Sequence, residues 1–255
     1  MIGHAARDEK GKYSAGIAGD QAKSEVYTRT WYNRPWNCII RAKGSSVRNK
    51  IAEAMEKACA NDKIGYDQNQ RNTLLTLARK VNYDPAKVTN PCETDCSALV
   101  SVCCMYAGVS ENYLYRNGNS CTTSTLRNAL LSSGMFDVLT DSKYRTSDKY
   151  LLRGDILLYE GHHVAVNLTD GTGTVQTESK QINPYLEPSV LLKKGMKSDS
   201  VKWLQWELKQ AGFPITIDGD FGNATESAVE KFQALYNLKV DGIVGGATRS
   251  MLKAK

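Results

Sequence analysis

Two octapeptides near the C-terminus, DGDFGNAT (218–225) and DGIVGGAT (241–248), repeat at an offset of 23 residues. Each Asp-Gly pair marks a tight turn, so the segments around them decide how this end folds. Between the copies, Val229, Phe232, Leu235 and Tyr236 recur at helical spacing. Ahead of them, SDSVKWLQWELKQAG (198–212) opens on a cap-type residue and lines Val201, Leu204 and Leu208 along one face. The predicted order is helix, turn, helix, turn, short helix. QINPYLEP (181–188), with two prolines and no periodicity, reads as the linker before it. On a helical wheel Trp203 and Trp206 fall opposite the apolar stripe. They are expected either to be stacking platforms for sugar or peptide, or to cover a neighbouring domain or linker.

Taken together, LKKGMKSDSVKWLQWELKQAG…IDGDFGNATESAVEKFQ…LKVDGIVGGAT resembles the small three-helix peptidoglycan-binding domain of many cell-wall hydrolases, over about residues 190–252. The resemblance implies bacterial peptidoglycan as a partner. It divides the chain into 1–180, a linker at 181–189 and the binding unit at 190–255.

The first 180 residues have a different texture. SSVRNKIAEAMEKACAND (45–62) and QNQRNTLLTLARKVN (68–82) read as helices. After residue 150 come short strands, DILLYE (155–160), HVAVNL (163–168) and TVQTES (174–179), with TDGTG supplying a hairpin turn. Helices followed by consecutive antiparallel strands predict an α+β domain. The opening 40 residues, including TRTWYNRPWNCIIR, are aromatic and loop-like, and no elements are predicted there.

Composition narrows the function classes. With 41% hydrophobic and 24% charged residues, the chain can bury a real core, and no run approaches the roughly 18 apolar residues that membrane insertion needs. The start, MIGHAARDEKGKYSAG, has no basic segment followed by an apolar one. The expectation is synthesis in the cytosol without a signal peptide. Seven cysteines at irregular spacing argue against a complete disulfide framework and for free thiols. The net charge of +6 is spread over both halves, which favours general attraction to a polyanion such as an anionic wall over a nucleic-acid face. Oligomeric state has no sequence signal.

Four cysteines crowd into CETDCSALVSVCC (92–104). If a helix starts at Cys96, then Leu99, Val100, Cys103 and Ala107 share its direction, with Cys104 at the edge. Cys103 and Cys104 then act as small buried hydrophobes. Cys96 sits in the first turn, where free N–H groups and the helix dipole favour a thiolate. Asp95 opposes that charge unless its oxygens cap the helix, so a base is required. Cys92 has two readings, a disulfide to Cys96 or a zinc ligand, although its spacing matches no standard ligand pair. The histidines are His4, His162 and His163. Strand alternation sends His162 and His163 to opposite faces, so that one can meet the cysteine helix.

TDCSALV followed by RGDILLYEGHHVAV resembles the NlpC-like cysteine peptidases of bacterial walls, a papain-like fold, over roughly residues 45–178. The resemblance implies Cys96 as nucleophile and His163 as base. For the polar residue that orients the imidazole it implies Gln176, with Glu178 the alternative if the Asp170-Gly171 turn is tight. Asn167 is on the correct face but about 13 Å along the same strand. Tyr66 takes the place of a tyrosine near the thiol. Tyr66, Asp95, Ser97, Trp203 and Trp206 are the candidate substrate-binding residues. The N-terminal segment resembles the start of some phage endolysins, where His4, Asp20 and Gln21 could line a cleft or hold a loop. The implied activity is cleavage of a stem-peptide amide, the D-γ-glutamyl–diamino acid bond or the N-acetylmuramoyl–L-alanine bond, without metal or organic cofactor. A wall-binding protein without activity is the rival.

Overall fold

The structure is a computed structural model describing residues 1–8, 10–14, 25–173, 183–236 and 238–253. It divides into two compact units. The first holds the described residues of 1–42 and 48–175, the second those of 43–47 and 176–255.

In the first unit, helices pack on a six-stranded sheet, as an α+β reading requires. Its elements begin with β1 (Ile2–Ala5), β2 (Val26–Arg29), β3 (Cys38–Ala42), α1 (Ser45–Ala60), β4 (Ile64–Tyr66) and α2 (Thr73–Ala78). Then come β5 (Cys92–Thr94), α3 (Cys96–Tyr106), α4 (Glu111–Leu114), β6 (Tyr115–Arg116), β7 (Asn119–Ser120) and α5 (Leu126–Ser132). The last are β8 (Phe136–Leu139), α6 (Ser142–Arg145), β9 (Ile156–Tyr159) and β10 (His163–Asn167). The sheet order is β2-β1-β10-β9-β3-β8, and its pairings are antiparallel. Half of its strands come from the opening 42 residues, where none was predicted. IGHA and VYTR carry too little alternation to announce themselves, and pairing of β1 with β10 and of β2 with β1 makes them strands. The helix expected over 68–82 is shorter, with only Thr73–Ala78 α-helical before a 3-10 turn to Val81. The strand expected at 174–179 lies outside the described residues.

The RGD of the β9 approach has three separate physical reasons. Arg153 forks onto Glu56 of α1, with both bonds at 2.6 Å. Gly154 has φ +86, and a Cβ there would stand 2.0 Å from the Arg48 carbonyl oxygen, so no other residue fits. Asp155 is fully buried and binds Arg41 of β3 through both oxygens, at 2.8 and 2.6 Å. A three-residue loop with Gly161 at φ +77 then turns β9 into β10, pairing Tyr159 with His163.

α3 lies against β10 and β1. Every residue from Cys96 to Met105 is buried, so it is apolar all round rather than striped, as a central helix must be. Cys103 and Cys104 are fully buried, and desolvation pushes both thiols up. Cys92 sits on β5, its sulfur 3.6 Å from the Lys63 carbonyl oxygen.

In the second unit the expected order is found as α7 (Asp199–Gln210), α8 (Asn223–Leu235) and α9 (Gly246–Lys253). Leu204, Leu208, Phe221, Val229 and Phe232 are fully buried in its core. Each Asp-Gly turn is pinned by one buried glutamine. Gln205 Nε2 reaches Asp218 Oδ1 (2.7 Å), the Asp220 carbonyl (3.0 Å) and Thr225 Oγ1 (3.1 Å), while its Oε1 accepts the Gly219 N–H (2.8 Å). Gln233 repeats the pattern with Asp241 Oδ1 (3.0 Å), the Ile243 carbonyl (2.9 Å), Thr248 Oγ1 (3.4 Å) and the Gly242 N–H (3.0 Å). The octapeptide repeat is thus a repeated hydrogen-bonded turn. No described helix is long and apolar enough to cross a membrane.

Candidate active site

The N-terminus of α3 is built by a buried ion pair. Asp95 is the N-cap, and its Oδ1 accepts the Ala98 N–H at 2.7 Å. Arg71, on the segment entering α2, donates to Asp95 Oδ2 (2.6 Å) and Oδ1 (3.2 Å). The same guanidinium donates to Ser97 Oγ (2.9 Å) and to the Ser120 and Cys121 carbonyls (2.8 and 2.7 Å). One arginine therefore neutralises the carboxylate beside Cys96 and ties the helix start to the loop after β7. Nothing in the sequence reading had singled out Arg71. Asp95 and Ser97, expected among the substrate-binding residues, have their side-chain oxygens engaged inside this brace. They hold the helix start instead of facing outward.

The Cys96 thiol is 7% exposed. Burial and then Asp95 push it up to about 12, while the Val164 and Ser97 backbone amides and Arg71 pull the other way. The helix start favours a thiolate, and burial together with Asp95 outweighs it. α3 packs against β10 and β1, and Val164 follows His163 on β10.

His163 opens β10 and is 6% exposed, whereas His162 is exposed and stacks on Tyr159 at 4.2 Å. One histidine of the doublet is thus exposed, in the loop before β10, and the other is buried on the strand. The His163 ring lies 6.3 Å from Trp36, on the sheet face that Ala165, Leu157 and Ile39 share. Its Nε2 is 2.8 Å from Nδ1 of His4 on β1. Burial, then His4, Arg34 and Arg29, press its pKa down to about 3. His4 is 2% exposed and lowered to about 4, first by burial and then by the two arginines.

Tyr66 ends β4, paired in parallel with Thr94, so it stands level with the residue before the Asp95 cap. Burial raises its hydroxyl first, and Cys96 is the next cause. Its oxygen accepts Gln68 Nε2 at 3.1 Å. Asn167 is fully buried, its Nδ2 bonded to the Leu152 and Thr169 carbonyls rather than to the imidazole. Gln176, Glu178, Asp20 and Gln21 lie outside the described residues. Trp203 and Trp206 are 2% and 6% exposed, and Trp203 belongs to the helical core. Neither offers an open face for a sugar. Their helix is buried on several sides at once (Gln205 and Glu207 included), so a single apolar stripe was a poor guide to its solvent face.

Over residues 2–174 the chain matches the Endolysin-like domain family, and over 197–252 the "Putative peptidoglycan binding domain" family. The chain belongs to the endolysin-like domain family, and it carries a peptidoglycan-binding-type unit behind that domain. It is similar to the zinc D-Ala-D-Ala carboxypeptidase of Streptomyces albus G, at 44% identity over 22% of this chain and 24% of that protein. It is also similar to a probable N-acetylmuramoyl-L-alanine amidase of Bacillus licheniformis, at 41% identity over 26% of this chain and 19% of that protein. The chain thus spans a quarter or less of these curated relatives. Among solved structures, a peptidoglycan-binding protein from Clostridioides difficile matches at 40% identity over 25% of this chain and 40% of that one, with a TM-score of 0.25.

Proposed function

We propose that the protein is a peptidoglycan hydrolase that cuts an amide of the wall stem peptide through Cys96 and His163, on a papain-like scaffold. The observation that carries this reading is that Cys96 opens a buried helix packed against β10, the strand that His163 opens. At rest both partners are neutral. As the sulfur attacks the substrate carbonyl, its proton passes to the His163 imidazole. The ion pair so formed gains the mutual attraction of opposite charges in a site of low dielectric. Helix-start N–H groups, that of Cys96 included, are positioned to receive the developing oxyanion. His163 returns the proton to the leaving amine, and water completes the second half-reaction. Asp95 and Arg71 keep the helix start rigid. The C-terminal unit raises the local concentration of enzyme on an insoluble polymer by linkage.

The bond favoured is the D-γ-glutamyl–diamino acid amide. The muramoyl–L-alanine amide is the second reading, favoured by the likeness to a relative named as an amidase. Digestion of purified sacculi and mass spectrometry of the newly freed amines separates the two, since a diamino-acid terminus means endopeptidase and an L-alanine terminus means amidase. Cys96→Ala should lower hydrolysis by at least about 10³-fold while the full chain still sediments with sacculi. Persistent hydrolysis by that variant overturns the assignment of the nucleophile.

A further inference from the structure

We infer that His4 is the positioning residue of His163, holding its imidazole in the tautomer that can take the thiol proton. The inference rests on the Cys96–His163 reading above. The β1–β10 register sets His4 level with Ala165, so both histidines project from the same face. Their rings meet edge to face, with centroids 5.0 Å apart, and the contact joins His4 Nδ1 to His163 Nε2 at 2.8 Å. One nitrogen of each ring is therefore committed, and only one of the two can donate. If His163 Nε2 carries the proton and gives it to His4 Nδ1, then His163 Nδ1 keeps a lone pair for the Cys96 proton. If His4 donates instead, His163 Nδ1 carries the hydrogen and the ring cannot act as base.

Only the first arrangement leaves His163 able to act as base. As acceptor at Nδ1, His4 holds its own proton on Nε2, which is buried without a partner among the described residues, a cost the arrangement carries. A neutral imidazole thereby does what a carboxylate or carboxamide does in other Cys-His sites. When His163 becomes an imidazolium, its Nε2–H still donates to His4 Nδ1 and the new proton sits on Nδ1. No further proton moves. The His4 ring is itself fixed by Tyr27 of β2, with centroids 4.7 Å apart.

With three histidines in the chain, imidazole ¹⁵N spectra of the full-length protein can be assigned by single substitutions. At pH 7 His163 should show the Nε2–H tautomer. His4→Leu should leave His163 as a mixture of tautomers and lower kcat about tenfold, with KM within twofold. His4→Gln, whose amide oxygen can accept, should restore most of the rate. Finding His163 as the Nδ1–H tautomer in the wild type overturns the inference, as does unchanged kcat in a folded His4→Leu. If His4→Leu does not fold, the wild-type spectrum and His4→Gln decide the matter alone. Cys96→Ala keeps the two readings apart. Activity lost there but unchanged in His4→Leu removes only His4's role, whereas activity kept in Cys96→Ala removes the nucleophile itself.

Discussion

The two halves treat their buried polar atoms in opposite ways. In the C-terminal helices the buried glutamines that pin the turns have their donors and acceptor engaged. Among the described residues no buried side-chain polar atom there lacks a partner. In the N-terminal half, His4 Nε2, Asp8 Oδ2, Asp67 Oδ2, Trp31 Nε1, Trp36 Nε1 and Asn167 Oδ1 are buried with none among the described residues. Each such atom costs about 1–3 kcal/mol. A binding module can be assembled from self-consistent turns. The larger N-terminal half, with its mixed sheet-and-helix core, carries these costs instead.

The sharpest way to break this comparison is at Arg71, whose guanidinium meets Asp95, Ser97 and two backbone carbonyls. Its side chain and that of Asp95 are 11% and 12% exposed. Removing the cation in Arg71→Met leaves a buried carboxylate without its partner and should cost about 3–5 kcal/mol. It should also slow alkylation of Cys96 by iodoacetamide, because the opposing charge of Asp95 is then unscreened. Alkylation as fast as in the wild type would show that the brace does not act on the thiol.

The two halves should also part under acid. His163 and His4 are lowered to about 3 and about 4 when folded, against about 6.5 unfolded. Below pH 6.5 the unfolded chain binds protons that the folded chain refuses. Stability is therefore complete above about pH 6.5 and falls as pH drops toward 4. The loss from the two groups together should be on the order of 5 kcal/mol between pH 7 and 4.5, read as the urea midpoint of the N-terminal half. His4→Gln should flatten the slope. The C-terminal half contains no histidine and should hold its midpoint over the same range. Equal slopes in both halves would remove the two histidines as the cause.

How much of this was legible depended on sequence distance. The C-terminal helices could be read because their repeats, stripes and turns are local and agree with one another. The start of α3 could be read from Asp95-Cys96, and the strand opened by His163 from HVAVNL. Arg71 meets Asp95 across 24 residues and His4 meets His163 across 159, and no periodic pattern links such pairs. Strands β1 and β2 escaped notice for the same reason, since short segments become strands only through their partners. Trp203 and Trp206 were misplaced because a wheel drawn from three residues assumes one buried face, whereas a helix in a small domain can be covered on several.

The repeated turn offers a smaller test. Gln205→Ala and Gln233→Ala each remove several bonds from one Asp-Gly turn and should each cost about 2 kcal/mol. If the two turns are one device used twice, the two costs should match to within a few tenths, measured as denaturant midpoints of the C-terminal half. Hydrolysis of a soluble stem peptide should not change. A large gap between the two values would mean that one turn is held by the surrounding helices rather than by its glutamine.

The smallest effect is expected one residue from the largest functional one. His162 differs from His163 by a single position, yet it is exposed and lies flat on Tyr159, with an interplanar angle of 25°. His162→Gln should change stability by less than about 0.5 kcal/mol and turnover by less than twofold. His163→Gln should remove turnover while leaving wall binding intact. If His162→Gln were the inactive variant, the base would sit in the exposed loop before β10. The buried contact between His163 and His4 would then be packing alone.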